Sequence, residues 1–289
     1  MAPASDQRLV DHVDRIAHEH PPIELASVDF TVRRPRELDA RFGHVLDHMA
    51  RVELEVDKNV LELGILLPDP PEIDVRFFRD VWHPQEIQHG LILDELQRHL
   101  GRSPAQPDLG LGLKIKVLGA LGHAGGFQDV SRMLYYLTGM ATERSAVLAY
   151  NMLYGGIVEL GEEGVARTAI GQIKRQEPGH YAFYQLSARA HWARLARWQR
   201  WLVRKMRAIS FAPVGAYNPE QSADFGDVMS ALGITDDVED FTQRIALVER
   251  ELLFAEHQGL TVPPYVARTF REAVERSQAR AGQLSGSAA

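Results

Sequence analysis

The chain has 289 residues, 45% of them hydrophobic, a formal net charge of −7 and no cysteine. That is enough for one large domain or two small ones, and the acidic balance gives no general reason for nucleic-acid binding. No apolar run reaches the roughly 18–20 residues of a membrane span, and the missing cysteines exclude disulfides, thiolate zinc sites, iron–sulfur clusters and cysteine nucleophiles. A metal site here must be built from Glu, Asp and His, a donor set that favours iron or manganese.

Residues 1–20 read as a polar helix whose histidines, His12, His18 and His20, share no apolar face with a carboxylate; it is expected to be solvated. The stretch also lacks the basic-then-apolar order of a secretory leader, so a cytoplasmic location is expected. Pro21-Pro22 end this helix, and 23–36 read as extended. A long helix is predicted from Glu37 to about Leu67, with Phe42, Leu46, Met49, Glu53, Val56, Val60 and Leu63 forming a stripe at spacings of three and four. Glu55, Lys58 and Glu62 are expected on its polar side. Glu53 stands where the stripe demands a core residue, and a lone buried carboxylate is costly unless a cation compensates its charge.

After Pro68, Pro70 and Pro71 a second helix is predicted over 74–100, kinked or restarted at Pro84. Its stripe runs Phe78, Trp82, Glu86, His89, Leu93, Leu96 and Leu100. Residues 101–110 read as a loop, 111–122 as a short apolar helix, and 123–128 as a break; Gly125-Gly126 lack the spacing of a phosphate loop. The third long helix, 128–158, aligns Met133, Tyr136, Met140, Glu143, Val147, Tyr150 and Tyr154. The fourth, 163–190, aligns Ile170, Ile173, Glu177, His180 and Tyr184.

One pattern therefore occurs twice: a lone glutamate, then Glu-x-x-His. Glu53 precedes Glu86 by 33 residues and Glu143 precedes Glu177 by 34. Residues three apart on a helix leave the same face one turn apart, and one Glu from each of two helices with Glu-x-x-His from each of two others is the ligand set of a four-helix di-iron carboxylate site. Four glutamates against two divalent ions leave such a cluster neutral. The expected ligands are Glu53, Glu86, His89, Glu143, Glu177 and His180, holding two iron ions with manganese as the alternative.

Arg189 to Arg207 is amphipathic and basic, with Trp192, Trp198 and Trp201 among seven cationic residues. Either the tryptophans are core and the arginines solvated, or the helix is a surface for an acidic partner. Beyond a connection at 211–222, helices are predicted at 224–232, 236–257 and 264–282, and the tail 283–289 is expected to be disordered.

At the ligand positions the chain resembles the soluble acyl-carrier-protein desaturases of the ferritin-like superfamily, over residues 40–190 approximately. The likeness rests on Trp82-His83-Pro84-Gln85-Glu86-Ile87-Gln88-His89-Gly90, on Glu143-Arg144, and on Gln176-Glu177-Pro178-Gly179-His180. It implies a single all-α domain, a ferritin-like four-helix bundle core (about 37–190) with additional N- and C-terminal helices, usually a homodimer, with an apolar channel beside the metals. It also implies that the six residues above are iron ligands, with Glu86 and Glu177 bridging. Gln85, Gln88, Gln176 and Gly179 depart from charged positions of the family, and Pro178 is expected to unwind the helix at Glu177.

The function so implied is an O2-dependent di-iron oxidase, a desaturase of a fatty-acyl chain on an acyl carrier protein, fed by an external ferredoxin or reductase. The alternatives are a hydroxylase or N-oxygenase of an apolar small molecule, and a ferritin-like metal-binding subunit or a radical-harbouring one that uses Tyr150 or Tyr184.

Overall fold

In a computed structural model of the chain the described residues are 4–67, 69–110, 125–212, 215–216 and 218–287. Among them the protein is all-α, with no strand. The helix predicted over 111–122 lies outside the described residues. The elements are α1 (Ala4–Glu19), α2 (Pro35–Leu54), α3 (Val56–Leu66), α4 (Glu72–Phe77), α5 (His83–His99), α6 (Phe127–Glu159), α7 (Gly171–Arg194), α8 (Arg197–Ser210), α9 (Pro219–Ala231), α10 (Val238–Leu253) and α11 (Pro264–Ser287). Four long helices carry the centre of the molecule, with α2 packed on α5 and α6 on α7. Helices α9 and α11 pair with each other, and α9 also lies on α2, while α10 lies on α6 and α7. Among the described residues no helix is long and apolar enough to cross a membrane.

Several local features differ from the sequence expectation. The helix from Glu37 to Leu67 is broken at Glu55, whose N–H is shared between the carbonyls of Arg51 and Val52. Its carboxylate is drawn inward, accepting from Arg51 (3.0 Å) and from the backbone N–H of Asp108 (3.1 Å). The break rotates α3 out of phase with α2, so Glu55 and Lys58 are buried and Val60 is exposed, the reverse of a continuous helix.

Pro84 has no N–H to give and its ring crowds the carbonyl four residues back. The chain answers with a π-turn at Phe78–Trp82, where hydrogen bonds reach one residue further, and α5 restarts with Pro84 in its first turn. A second π-turn, Ala166–Ile170, precedes α7. The unwinding expected at Glu177 does not occur: α7 is helical from Gly171 to Arg194. Pro178 sits on the exposed side, where water can serve the carbonyl it leaves without a donor.

Helix α1 is not a solvated appendage. Leu9, Val13 and Ile16 are buried, and the His12 ring donates to the Gly179 carbonyl on α7 at 2.9 Å. A Cβ on Gly179 would stand 3.1 Å from Ile16, so glycine there is what lets α1 approach so closely. At the other end of the chain α11 continues to Ser287, past the expected stop near 282. The tail expected to be disordered is thus helical over 283–287, and residues 288–289 lie outside the described residues.

Candidate metal centre

The four central helices each deliver one part of the doubled pattern. Glu53 lies at the last turn of α2, Glu86 and His89 on the first two turns of α5, Glu143 midway along α6, and Glu177 and His180 on α7. All six are buried, none more than 9% exposed. Close approach of α2 and α5 depends on Gly90, where a Cβ would meet Leu54 at 2.7 Å. This brings Glu53 against Glu86.

The six residues form two overlapping groups. Glu53, Glu86, His89 and Glu177 make one; Glu86, Glu143, Glu177 and His180 make the other. Within each, one ligand atom per residue lies within 4.8 Å of all the others, and each group can hold a metal ion. Glu86 and Glu177 belong to both, the two positions for which the resemblance implies bridging.

The surrounding hydrogen bonds give the reason to read these groups as ligands rather than as an ion-pair network. Gln85 donates its amide to the His20 carbonyl at 2.5 Å, so its oxygen must face His180 Nε2, at 2.6 Å. Gln176 donates to the Pro21 carbonyl at 2.7 Å, and its oxygen faces His89 Nε2, also at 2.6 Å. A carbonyl only accepts, so both glutamines are fixed in orientation and both histidines must carry a proton on Nε2. Each Nδ1 is then turned toward the carboxylates: His180 Nδ1 lies 2.8 Å from Glu86 and His89 Nδ1 lies 3.1 Å from Glu177. Neither contact has the alignment of a hydrogen bond. Both Nδ1 atoms, Glu86 Oε1 and both oxygens of Glu177 are buried without a hydrogen-bond partner. A buried polar atom left so is expensive, and a shared cation is what such converging lone pairs accept.

Two further side chains hold carboxylates in place. Tyr150 donates to Glu53 at 2.5 Å and the Trp82 indole to Glu143 at 3.1 Å. Tyr184, by contrast, meets the Tyr135 hydroxyl at 2.6 Å and, among the described residues, makes no hydrogen bond to a ligand carboxylate.

Protonation reflects the crowding. Burial, then the charges of Glu86 and Glu177, drives the Glu53 carboxyl well above its ordinary range. Burial also lifts Glu143 to about 8, against the pull of the neighbouring His180 imidazole. For Glu86 burial pushes upward too, but the Glu53 carboxyl beside it and the neighbouring His180 and His89 imidazoles outweigh it and hold the group well below the usual value. Burial alone would lower the His89 imidazolium; the Glu177 and Glu86 carboxylates overcome it and raise it to about 9. Protons thus occupy positions that a metal would take.

A cavity of about 110 Å³ opens onto the carboxylates of Glu53, Glu86, Glu143 and Glu177. Its walls are mostly apolar, and the C-terminal elements contribute Phe225, Val228 and Met229 of α9 and Phe241 of α10.

The basic segment differs from the expectation of core tryptophans and solvated arginines. It is split at Leu195-Ala196 between α7 and α8, and Trp198, Trp201 and Ile209 are exposed rather than core. Arg200 donates to the carbonyls of Trp192 and Ala193, Arg200 and Arg204 lie over the Trp192 ring, and Arg207 is buried. Arg197 and Lys205 remain exposed on α8.

The resemblance sets Gln85 and Gln176 beside the ligands, but sequence reasoning did not foresee their pairing with the two histidines or with the His20 and Pro21 carbonyls. A signal existed, since Gln-Glu-x-x-His occurs in both halves, at 85–89 and 176–180. No family model matches the chain, and neither a curated protein nor a solved structure does.

Proposed function

We propose that the chain is an O2-dependent oxidase with a dinuclear iron centre, acting on an apolar chain, and that it is a desaturase of a fatty-acyl group presented on an acidic acyl carrier protein. The observation that carries this reading is the pair of four-ligand groups sharing Glu86 and Glu177 on the floor of a cavity with apolar walls. The donor set is all carboxylate oxygen and imidazole nitrogen, which suits iron or manganese, and four carboxylates would balance two divalent ions. Iron bound there would supply the reduction of O2 and, through it, removal of hydrogen from an unactivated C–H bond.

The chain's own residues do the rest. Gln85 and Gln176 keep the protons of His180 and His89 on Nε2 and so keep each Nδ1 lone pair inward. Tyr150 and Trp82 orient Glu53 and Glu143. Phe225, Val228, Met229 and Phe241 shield the floor from water and offer an alkyl chain its contacts. Electrons would come from an external ferredoxin or reductase, and the family likeness favours a homodimer.

A second reading, hydroxylation or N-oxygenation of a small free metabolite, draws on the same cavity. His48, Asn59, Thr142 and Ser145 are among its lining residues, polar groups for which a long alkyl chain has no use. One experiment separates the two. Iron-loaded, reduced protein is exposed to O2 with an acyl chain on its carrier, with the free acid, and with a set of small amines, and products are weighed by mass spectrometry. Loss of hydrogen from the carrier-bound chain supports desaturation. Gain of oxygen by a free substrate supports the second reading, and O2 uptake no faster than that of iron without protein would sink both.

A further inference from the structure

A second cavity, of about 490 Å³, lies between α1, α4, α6 and α7 and shares no lining residue with the first. Its volume falls in the range of about 300–1,000 Å³ typical of small-molecule sites. Asp74 is fully buried on its wall; one carboxylate oxygen accepts from the Tyr136 hydroxyl at 2.5 Å, and the other, Oδ1, has no partner. Ser187, 3% exposed, lines the same cavity with its hydroxyl unpartnered. So does Arg132, whose Nη2 is taken by the Asp69 carbonyl at 3.0 Å while Nε has no acceptor.

Buried polar atoms without partners are rare and costly, and three of them belong to residues that line one cavity. The charges add a second constraint. Asp74 and Arg132 are opposite in sign and line the same cavity, yet no ion pair joins them among the described residues, and Arg76 nearby is already paired with Asp14. A carboxylate and a guanidinium held apart across a cavity complement a molecule that carries an ammonium and a carboxylate itself. Glu72, Arg76, His191 and Arg194 also line the cavity, and its apolar part comes from Leu9, Val10, Ile73 and Ala190.

We propose that this cavity binds an α-amino acid with an apolar side chain: Asp74 and Ser187 take the ammonium, Arg132 takes the carboxylate, and the α1–α4 wall takes the side chain. Burial raises the Asp74 carboxyl to about 6 against the hydrogen bond from Tyr136, so the group is ionised at neutral pH as this pairing requires. The inference does not depend on the metal centre, since none of these residues is a candidate ligand.

The test is calorimetric titration of the full chain with L-leucine and L-phenylalanine, with isocaproate and isoamylamine as analogues lacking the amine or the carboxylate. At least one of the amino acids should bind saturably with Kd below about 1 mM, and each truncated analogue should bind at least about tenfold more weakly, as expected where buried polar groups are left unpaired. Asp74→Asn should weaken binding by a similar factor. Should that variant fail to fold, Arg132→Gln, at a half-buried position, and Ser187→Ala carry the test. Absence of saturable binding, equal binding of an analogue, or undiminished binding by both Arg132→Gln and Ser187→Ala would overturn the proposal. So would binding that disappears with a chelator but is unchanged in Arg132→Gln, because it would locate the ligand at the metal centre.

Discussion

The Arg207–Glu249 cluster and the Glu–His cluster are both buried, and they are finished in opposite ways. On one side Arg207, 2% exposed, donates to both oxygens of Glu249 at 3.0 and 3.1 Å, to Thr138 at 2.9 Å and to the Leu137 carbonyl at 3.1 Å. Tyr265 adds its hydroxyl to the same glutamate. No atom of Arg207, Glu249 or Tyr265 is buried without a partner, and the cluster ties α8, α10 and α11 to α6. In the other cluster four carboxylates and two histidines leave five buried atoms unpartnered among Glu86, Glu177, His89 and His180. Equal burial therefore does not mean equal purpose. A cluster that brings its own countercharge is a clamp, whereas one with its lone pairs converging on one place is built to receive a cation.

The largest difference should appear when a bridging position is neutralised. Combining Glu86→Gln with Glu177→Gln removes the two residues shared by both ligand groups, and the variant is expected to lose all bound metal. Its metal-free form should melt lower than metal-free wild type, because these carboxylates balance the His89 and His180 imidazoliums. Metal analysis and calorimetry on the same sample check both halves; a folded variant that keeps its metal would mean that neither glutamate is a shared ligand. The clamp should answer the other way. Arg207→Ala leaves Glu249 buried and unpaired and is expected to cost about 3–5 kcal/mol in denaturant unfolding, with metal per folded chain unchanged. Arg207→Met with Glu249→Leu should recover most of that loss.

Effects of intermediate size come from the glutamines. Gln85→Ala and Gln176→Ala each release one histidine and are expected to weaken metal binding by about 10–100-fold without unfolding the chain. Competition with a chromophoric chelator reads this directly, and unchanged affinity would mean that the outer hydrogen bonds do not set the tautomer.

A milder effect comes from pH. Glu143 and His89 have folded pKa values, about 8 and about 9, above their ordinary values of 4.5 and 6.5. Their stabilisation of the metal-free chain is therefore complete below those ordinary values and is lost as pH rises through 8 and 9. Metal displaces the protons, so the difference in Tm between loaded and chelated protein should widen from pH 6 to pH 9, measured by calorimetry; a difference that narrows contradicts the assignment.

The smallest effect is expected at the surface. Reversing Arg197 and Lys205 to Glu should weaken binding of an acidic carrier several-fold, more at low salt than at high, and leave metal content unchanged. Arg200 and Arg204 suit this test less well because α7 carbonyls and the Trp192 ring already engage them.

Much of the centre was legible because its information is local. Helical spacing put Glu53, Glu86, His89, Glu143, Glu177 and His180 on apolar stripes, and repetition linked them. What escaped was set by contacts distant in sequence. The Gln85–His20 bond spans 65 residues and the Gln176–Pro21 bond 155, and no periodicity signals either. Glu55 reads as a polar-face residue until Asp108 draws it inward and breaks the helix. Helix α1 reads as solvated because its three buried apolar residues, Leu9, Val13 and Ile16, are thinly spread among charges. In α8 the amphipathic pattern was plain but its orientation was not, since arginine stems and tryptophan rings can each lie against a protein surface.

The claim on which the rest depends is that the Glu–His cluster is a dinuclear cation site. Anaerobic equilibrium dialysis against Fe(II), followed by metal analysis per folded chain, tests it most directly. Wild type should bind about two ions, the number that balances four carboxylates, and Glu143→Ala, which removes a ligand from only one of the two groups, should bind about half as many. Binding of no iron by the folded wild-type chain, or full retention of both ions by Glu143→Ala, would contradict it.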